Sequence, residues 1–360
     1  MDTGKVITGE LPHVVIIYDD KPGAMAVLAK LARQMVTVQL IGRPITALDF
    51  ADLLAADAGV LVTHGTWALQ GQNVTARAAE LASIVPCFVV RPPLDPEAGP
   101  DPLAPLLGFV KFASVVDDAF IQTVVTEARQ SRAARRMPGP REVVLAIGAH
   151  PEDVEVGVGG ILAAHVFAGD DVAILTLGQD GHAGSTGQEA RAAAAVIRAR
   201  LFLDPVPAAR LASTSDLVDR IAAVVDEVRP TVVYVHAAED QDPHHRAVHD
   251  STCIAVDGVR TVAAYQSRSS SVRFQPTEFV AIRAFMPVKL EMLAAYDAQG
   301  SGSHPDAKGV RITAAYWSRF AGGGLVEPLE VLRATSAADD PDAAPGTWSR
   351  LSAASAPAVA

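Results

Sequence analysis

A group of histidine and carboxylate side chains near the middle of the chain has the residue types and spacing of a metal site. Residues 143–147 are apolar and predict a buried strand, which ends in a Gly-Ala-His-Pro turn. The turn places His150, Glu152 and Asp153 just beyond the carboxyl end of that strand, where ligands bind in open α/β sheets. An imidazole and a carboxylate three residues apart, on a turn fixed by Pro151, can direct two donor atoms at one cation.

A second group of histidines and acids follows another predicted strand further along the chain. Residues 231–236 predict this strand, and the sequence after it, AAEDQDPHHRAVHDST, contains three histidines and several acids. The two strands are expected to be neighbours in one parallel sheet, so the two groups are expected to meet at its carboxyl edge. The set that needs the fewest assumptions is His150, Asp153 and His245, which leaves an open position for water, as in catalytic zinc sites.

Metal-assisted hydrolysis of an amide is the chemistry that these residues predict. Zinc or another divalent metal lowers the pKa of a bound water toward neutrality and polarises the carbonyl oxygen of the substrate. Glu152 would lie beside that water and take its proton, and His244, His249 or Asp242 would protonate the leaving amine. Three glycines just downstream are expected to leave backbone room around the site: Gly157, Gly159 and Gly160.

The composition of the chain limits its partners and its location. It has 360 residues, 49% of them hydrophobic, which is enough for two domains with a core each. A formal charge of -11 and the lack of basic runs argue against nucleic acid, and no apolar run is long enough for membrane insertion. Cys87 and Cys253 lie in apolar runs and are expected to be buried free thiols, which, without a secretory signal pattern, predicts a cytoplasmic protein. A small-molecule substrate is the expected partner, and the sequence leaves open whether the protein forms a homo-oligomer.

Alternating strands and helices in both halves of the chain predict an α/β fold with two domains. Residues 1–136 predict a smaller doubly wound domain with four strands, for which a covering or dimerising role is expected. The sequence MPGPR at 137–141 marks a boundary, and residues 141–335 predict a second parallel-sheet domain with both groups of site residues. In it, a helix is expected at residues 159–168. Residues 336–360 are small, Pro-rich and weakly apolar, and we expect a mobile tail.

The two motifs resemble the signatures of a known family. AHPEDVEVGVGG is similar to AHPDDxExGxGG of the LmbE-like, or PIG-L-type, de-N-acetylases, and EDQDPHHRAV is similar to their second signature, EDxHPDHRAV. The resemblance covers residues 141–335 and implies a Rossmann-like domain that hydrolyses an N-acetyl or related N-acyl group, often on an amino sugar and usually with zinc. By position it implies His150, Asp153 and His245 as metal ligands and Glu152 as general base.

This sequence departs from the family pattern in its expected proton relay. Glu152 replaces an Asp and moves the carboxylate out by one methylene, Asp242 stands at the position of a family His, and His244 stands at the position of a family Asp. Two hypotheses follow: an active zinc-dependent amidohydrolase, or an altered family member that acts as a ligand-binding or regulatory protein. In the first, Arg191 and Asp180 are expected to contact the substrate. A nucleotide-dependent enzyme is disfavoured, because no phosphate-binding glycine motif is present.

Overall fold

The chain folds into two compact units, Met1–Arg136 and Met137–Ala360, in a computed structural model. Each unit has helices and strands around a mostly parallel sheet, which confirms the predicted fold class. The structure describes residues 11–18, 21–42, 60–64, 81, 84–90, 110–135, 141–178, 187–206, 214–297 and 307–334. The predicted tail at 336–360 lies outside these residues.

The first unit is built on a parallel sheet of five strands. These are β1 (His13–Tyr18), β2 (Thr37–Ile41), β3 (Val60–His64), β4 (Cys87–Val90) and β5 (Val110–Ala113), in the spatial order β2-β1-β3-β4-β5. Two described helices, α1 (Lys21–Leu31) and α2 (Asp118–Arg135), pack their apolar residues against the sheet. The order reverses at β1, as in doubly wound sheets. Strand β5 was not predicted, because Lys111 interrupts its four residues, which therefore lack the continuous apolar run of β4.

The second unit is built on a sheet of seven strands in the order β11-β12-β10-β9-β6-β7-β8. Five of them are parallel: β6 (Val143–Gly148), β7 (Asp171–Gly178), β8 (Arg200–Val206), β9 (Val232–His236) and β10 (Thr261–Tyr265). Strands β11 (Glu278–Ala281) and β12 (Val326–Ala334) extend the sheet in antiparallel pairing. The five parallel strands have the Rossmann order, and the strand order reverses between β6 and β9.

Helices cover both faces of this second sheet. Their bounds are α3 (Asp153–Ala168), α4 (Gln188–Val196), α5 (Thr214–Val228), α6 (Pro243–Ala255), α7 (Met286–Asp297) and α8 (Ala307–Ser318). Helices α5 and α6 share a core with Val233 and Val235 of β9. Tyr234 points to the opposite face of the sheet, where its hydroxyl group forms a hydrogen bond with the ring of His165 in α3. Across the described part of the chain, none of the helices combines the length and the apolar character that crossing a bilayer requires.

Helix α3 begins six residues earlier than the sequence predicted, at Asp153 instead of residue 159. It is buried on nearly all sides, so its sequence lacks the amphipathic periodicity that marks the start of a surface helix. Glu152 precedes it in the left-handed region, with φ of 72°, and this conformation turns the chain from the β6 loop into the helix. The first metal-ligand candidates therefore lie on a helix N-terminus as well as on a turn.

A side chain of another element lies close beside each glycine of the first motif. A Cβ atom on Gly157 would lie 2.2 Å from the ring of Tyr265, and one on Gly160 would lie 2.8 Å from Ile282. On Gly159 it would lie 3.2 Å from Cγ of Lys289. The missing side chains thus let β10, the segment after β11 and α7 approach α3 closely.

The two cysteines differ in their surroundings. Cys87 is buried in β4, where burial raises the pKa of its thiol to about 12. Cys253 is exposed on α6, so the prediction of two buried thiols is correct for Cys87 alone. The apolar run around Cys253 belongs to an amphipathic helix, and Ile254 beside it is also exposed.

We expect Gly157→Ala to destabilise the second unit by about 1–3 kcal/mol or more, because its Cβ would overlap a rigid, buried ring. Gly159→Ala is the matched control. Its nearest contact would be Cγ of Lys289 at 3.2 Å, a much milder approach than 2.2 Å, and alanine favours a helix over glycine by about 1 kcal/mol. Chemical denaturation of both variants and of the wild-type chain gives the comparison. An equal loss in the two variants would contradict the packing role of Gly157.

Candidate metal centre

The two groups of predicted site residues meet where the strand order of the second sheet reverses. Strands β6 and β9 pair in parallel, with Val144 opposite Val232. The chain leaves both strands at the same edge, and it enters α3 from β6 and α6 from β9. This crevice is where an open α/β sheet binds its ligands.

Three donor atoms from the predicted metal ligands form a nearly equilateral triangle. Nδ1 of His150 lies 3.2 Å from Nε2 of His245 and 3.4 Å from Oδ2 of Asp153, and the last two atoms are 3.3 Å apart. Zinc bonds to nitrogen or oxygen at about 2.0–2.1 Å, which gives a tetrahedral edge of about 3.3–3.4 Å. Two imidazoles and one carboxylate at these separations fit a zinc ion and other divalent cations of similar size.

Asp153 is fixed at the start of α3 by its own backbone. Its Oδ2 accepts a hydrogen bond of 2.7 Å from the N–H of His150, which closes the turn between the two ligands. Burial on its own would raise the pKa of Asp153, but the neighbouring imidazoles of His236, His150 and His245 hold that pKa well below its usual value. Asp153 therefore carries a negative charge that a cation can balance.

His245 is oriented from the opposite side by a second carboxylate. It is the third residue of α6, and its Nδ1 lies 3.2 Å from Oδ2 of Asp240 and 3.2 Å from Oγ of Ser269. Although burial favours the neutral ring, Asp153 and Asp240 raise the pKa of His245 to about 10. Both carboxylates thus favour positive charge at this position, and a bound cation would replace the proton.

Asp240 is the centre of a buried hydrogen-bond network that the sequence did not single out. It accepts hydrogen bonds from Ser267 at 2.5 Å, Ser269 at 2.6 Å and Ser270 at 3.2 Å, and from the N–H of Asp242 at 2.9 Å. These donors and His245 outweigh burial and lower the pKa of Asp240. The serines come from the loop after β10, and their link to the second motif could not be read from linear spacing.

His236 was also missed, because it is the last residue of an apolar strand and was assigned to that strand alone. Its ring is fully buried and stacks on His245, with centroids 3.9 Å apart and an interplanar angle of 11°. Its Nε2 accepts a hydrogen bond of 3.0 Å from the N–H of Ala149 and lies 3.2 Å from Oδ2 of Asp153. Burial lowers the pKa of His236, which favours a neutral ring behind the two ligands. Its position at the carboxyl end of β9 was the signal that could have identified it.

Glu152 lies at the edge of the centre, with a side chain that is 25% exposed. Burial raises its pKa to about 7, and Arg268, whose Nη2 lies 3.3 Å from Oε1, acts in the opposite direction. The left-handed backbone at Glu152 costs about 1–3 kcal/mol for a residue other than glycine, and such costs concentrate at functional sites. The charges of Asp153 and His150 also act on the pKa of Glu152, so its carboxylate lies near the donor triangle, although it is not one of the three ligand candidates.

The three candidates for a proton donor take different positions. Nδ1 of His244 lies 3.1 Å from Nε2 of His150, the ring nitrogen of His150 that does not belong to the triangle. Asp242 is the N-cap of α6 and accepts a hydrogen bond of 2.7 Å from the N–H of His244. His249 lies on α6 and contacts the end of β9. Its Nδ1 donates a hydrogen bond of 2.7 Å to the carbonyl oxygen of His236, and its Nε2 lies 3.6 Å from Sγ of Cys253.

The two predicted substrate contacts are placed only in part. Arg191 lies in the first turn of α4, with an exposed side chain. Asp180 follows β7 and lies outside the described residues. Their roles stay predictions.

Comparison with protein families supports the resemblance seen in the two motifs. Residues 145–256 match the family described as PIG-L: GlcNAc-PI de-N-acetylase. The second unit thus contains a PIG-L, or LmbE-like, domain. The matched range includes the three residues of the donor triangle. It also includes Asp240, His236 and His244, which contact these residues.

Individual proteins are similar over about half of the chain or less. An uncharacterized deacetylase of Escherichia coli strain K12, YaiS, is 26% identical over 165 residues, which are 42% of this chain and 89% of that protein. The N,N'-diacetylchitobiose deacetylase of Pyrococcus horikoshii is 18% identical, with a TM-score of 0.43 over 52% of this chain and 83% of that one. The 4-carboxy-2-hydroxymuconate hydratase GalB of Pseudomonas putida KT2440 is also 18% identical, with a TM-score of 0.43 over 54% and 98%.

We expect Asp240→Asn to weaken zinc affinity by about 10- to 100-fold, because the variant keeps the size of the side chain but loses the charge that orients His245. Asp226→Asn makes the same change at an exposed position on α5 and should leave the affinity unchanged. Competition with a chelating dye measures both. A folded Asp240→Asn protein with wild-type zinc affinity would contradict the orienting role.

Proposed function

We propose that the second unit is a metal-dependent amidohydrolase that removes an N-acetyl or other N-acyl group from an amino sugar or a related small metabolite. The observation that carries the proposal is the donor triangle of His150, Asp153 and His245 beside the carboxylate of Glu152. The match of residues 145–256 to a de-N-acetylase family supports the same reaction class. Fold alone would leave the reaction open, so the proposal depends on these side chains.

Zinc is the cation we propose for this triangle. It would supply a Lewis acid that lowers the pKa of water and polarises an amide carbonyl. The chain contributes two imidazole nitrogens and one carboxylate oxygen, a ligand set found in catalytic zinc sites. Asp240 and His236 hold those ligands in place from behind, as outer-shell partners do in metal sites.

Glu152 is the general base in the proposed reaction. It takes a proton from the attacking water as the water oxygen bonds to the carbonyl carbon, and it then delivers that proton to the nitrogen as the C–N bond breaks. The products are a carboxylic acid and an amine, so the atoms of water and amide are all accounted for. Arg268 holds the Glu152 carboxylate through a contact of 3.3 Å, which limits the positions that this longer side chain can take.

His244 is assigned a hydrogen bond to the developing oxyanion. If Nδ1 of His150 faces the cation, the ring proton of His150 is on Nε2. This N–H group then donates a hydrogen bond to Nδ1 of His244. His244 is then neutral, with its own N–H at Nε2. A neutral imidazole donates a hydrogen bond well but gives up its proton poorly, and for this reason we assign delivery of the proton to Glu152.

The reaction is tested by amine release from a panel of N-acetylated amino sugars and other N-acyl metabolites. We expect release that stops on chelation and returns with zinc. Glu152→Gln should retain zinc and lose about 10²- to 10⁴-fold in kcat. Asp226→Asn, on the exposed face of α5, is the control and should behave as the wild-type chain does. Normal turnover by Glu152→Gln would exclude this mechanism. Ligand-induced stabilisation without any amine release would favour the ligand-binding hypothesis instead.

We expect His244→Ala to lower kcat by about 10²- to 10³-fold, the usual cost of losing one oxyanion donor. The loss should be similar for an N-acetyl alkylamine and for an N-acetyl anilide with a weakly basic leaving amine, because the oxyanion forms in both. Steady-state kinetics on the two substrates separates the roles. A loss confined to the alkylamine would show that His244 protonates the leaving group.

A further inference from the structure

A cavity of about 370 Å³ lies in the second unit next to the candidate metal centre. Its volume falls within the range of small-molecule sites. Its polar lining residues come from the loop after β10, from α7, α8 and β12: Gln266, Ser267, Arg268, Ser270, Lys289, Thr313 and Glu327. Apolar and small residues complete the wall, including Val156 and Gly157 in the first turns of α3.

The cavity shares three residues with the network around the metal centre. Arg268 lines the cavity and also contacts Glu152 at 3.3 Å. Ser267 and Ser270 line it and also donate hydrogen bonds to Asp240, the carboxylate that orients His245. If the amide of a substrate lies at Glu152, the rest of the substrate can therefore extend into this cavity and contact its polar lining.

The ionised side chains in the cavity wall carry a net positive charge. Arg268 and Lys289 are cations, and Glu327 is the single carboxylate among the lining residues. The wall is thus formally positive by one charge, although the whole chain has a formal charge of -11. Lys289 and Glu327 balance each other, so the charge that the wall offers to a ligand is that of Arg268, which Glu152 also contacts from outside the lining.

Lys289 and Glu327 form a buried ion pair that leaves donor capacity at the cavity. Their side chains are only 4% and 2% exposed, and Nζ of Lys289 lies 2.5 Å from Oε1 of Glu327. Nζ also donates to the carbonyl oxygen of Val156 at 2.6 Å. Glu327 accepts from the N–H groups of Gly160 and Ile161 at 2.9 and 2.8 Å. An ammonium has three N–H groups, and among the described residues these two acceptors account for two of them.

Arg268 has more unused capacity. Its side chain is half-exposed, and within the described part of the chain the contact from Nη2 to Glu152 uses one of its five N–H donors. A guanidinium binds a carboxylate or a phosphate through two parallel hydrogen bonds, which fixes orientation as well as adding affinity.

We propose that this cavity binds an anionic group of the substrate, a carboxylate or a phosphate, and that Arg268 is the residue that selects it. The inference rests on the proposed function, because the anionic group belongs to the molecule whose N-acyl group is hydrolysed. It narrows the substrate class to acidic N-acyl compounds, such as phosphorylated or carboxylated N-acetyl amino sugars.

The test compares N-acetylglucosamine, its 6-phosphate and N-acetylmuramic acid, which differ in charge around the same acetamido group. We expect kcat/KM of the zinc-loaded chain to be about 10- to 100-fold higher for at least one acidic compound, as one charge-assisted contact allows. Whichever acidic compound has the advantage identifies phosphate or carboxylate as the bound group. Equal kcat/KM for all three would overturn the inference.

Arg268→Gln separates binding of the anion from an effect on Glu152. The variant should lose the preference: KM for the acidic compound should rise by about 10-fold or more relative to KM for the neutral one, whereas any effect through Glu152 should lower kcat equally for both compounds. Arg273→Gln, an exposed arginine on the same loop, is the matched control and should keep the preference. An equal loss on both compounds would show that Arg268 acts through Glu152 alone and would overturn the inference.

A binding measurement keeps this inference separate from the proposed reaction. Calorimetry with the zinc-loaded chain and the same three compounds should show tighter binding of an acidic one, and Arg268→Gln should abolish the difference. If no compound releases an amine but this Arg268-dependent difference persists, the proposed reaction fails and the anion site stands. If amine is released and binding shows no difference, the reaction stands and the anion site fails.

Discussion

The parallel pairing of β6 with β9 is the constraint on which the candidate site depends. The ligand residues come from two segments far apart in the chain, and only the ends of these two adjacent strands bring them together. Strand β9 is buried along its whole length, and its pairing with β6 fixes which residues of the two strands lie opposite each other. Core packing therefore sets the position of His245 relative to His150 and Asp153, and the donor distances of 3.2–3.4 Å follow from it.

The exchange of residue types in the second motif has a local structural basis. Asp242 caps α6 through the N–H of His244, and aspartate is among the residues that perform this role best. The imidazole that the family has at that position lies two residues further on in this chain, where its ring reaches Nε2 of His150. The site thus keeps a third histidine in contact with the ligand cluster, and the helix that presents His245 gains a well-formed start.

The sequence could predict the metal-ligand candidates because each side chain follows an apolar strand at an interval that a short turn allows. His150 and Asp153 are separated by one turn, and His245 belongs to a motif with few alternative interpretations. His236 and Asp240 escaped because their roles depend on stacking and on contacts with a loop after β10, which no local pattern encodes. The neighbours of the glycines in α3 could not be predicted for the same reason, since the sequence does not say whether the space beside a glycine holds a ligand or another side chain. Strand β12 was missed although it supplies Glu327 to the centre of the unit.

The hydrogen bond from Gly160 to Glu327 joins residues 167 positions apart, and this separation bears on the order in which the domain can form. Helix α3 follows the first metal ligand, yet the carboxylate that holds its amides arrives on the last described strand of the unit. Until that strand docks, Lys289 would be buried without its counter-charge, which is strongly unfavourable. Long-range closures of this kind slow folding, because the entropy of a large loop is lost before the contact forms. During synthesis on the ribosome, the first motif thus emerges early but gains its native environment only when the chain has reached β12.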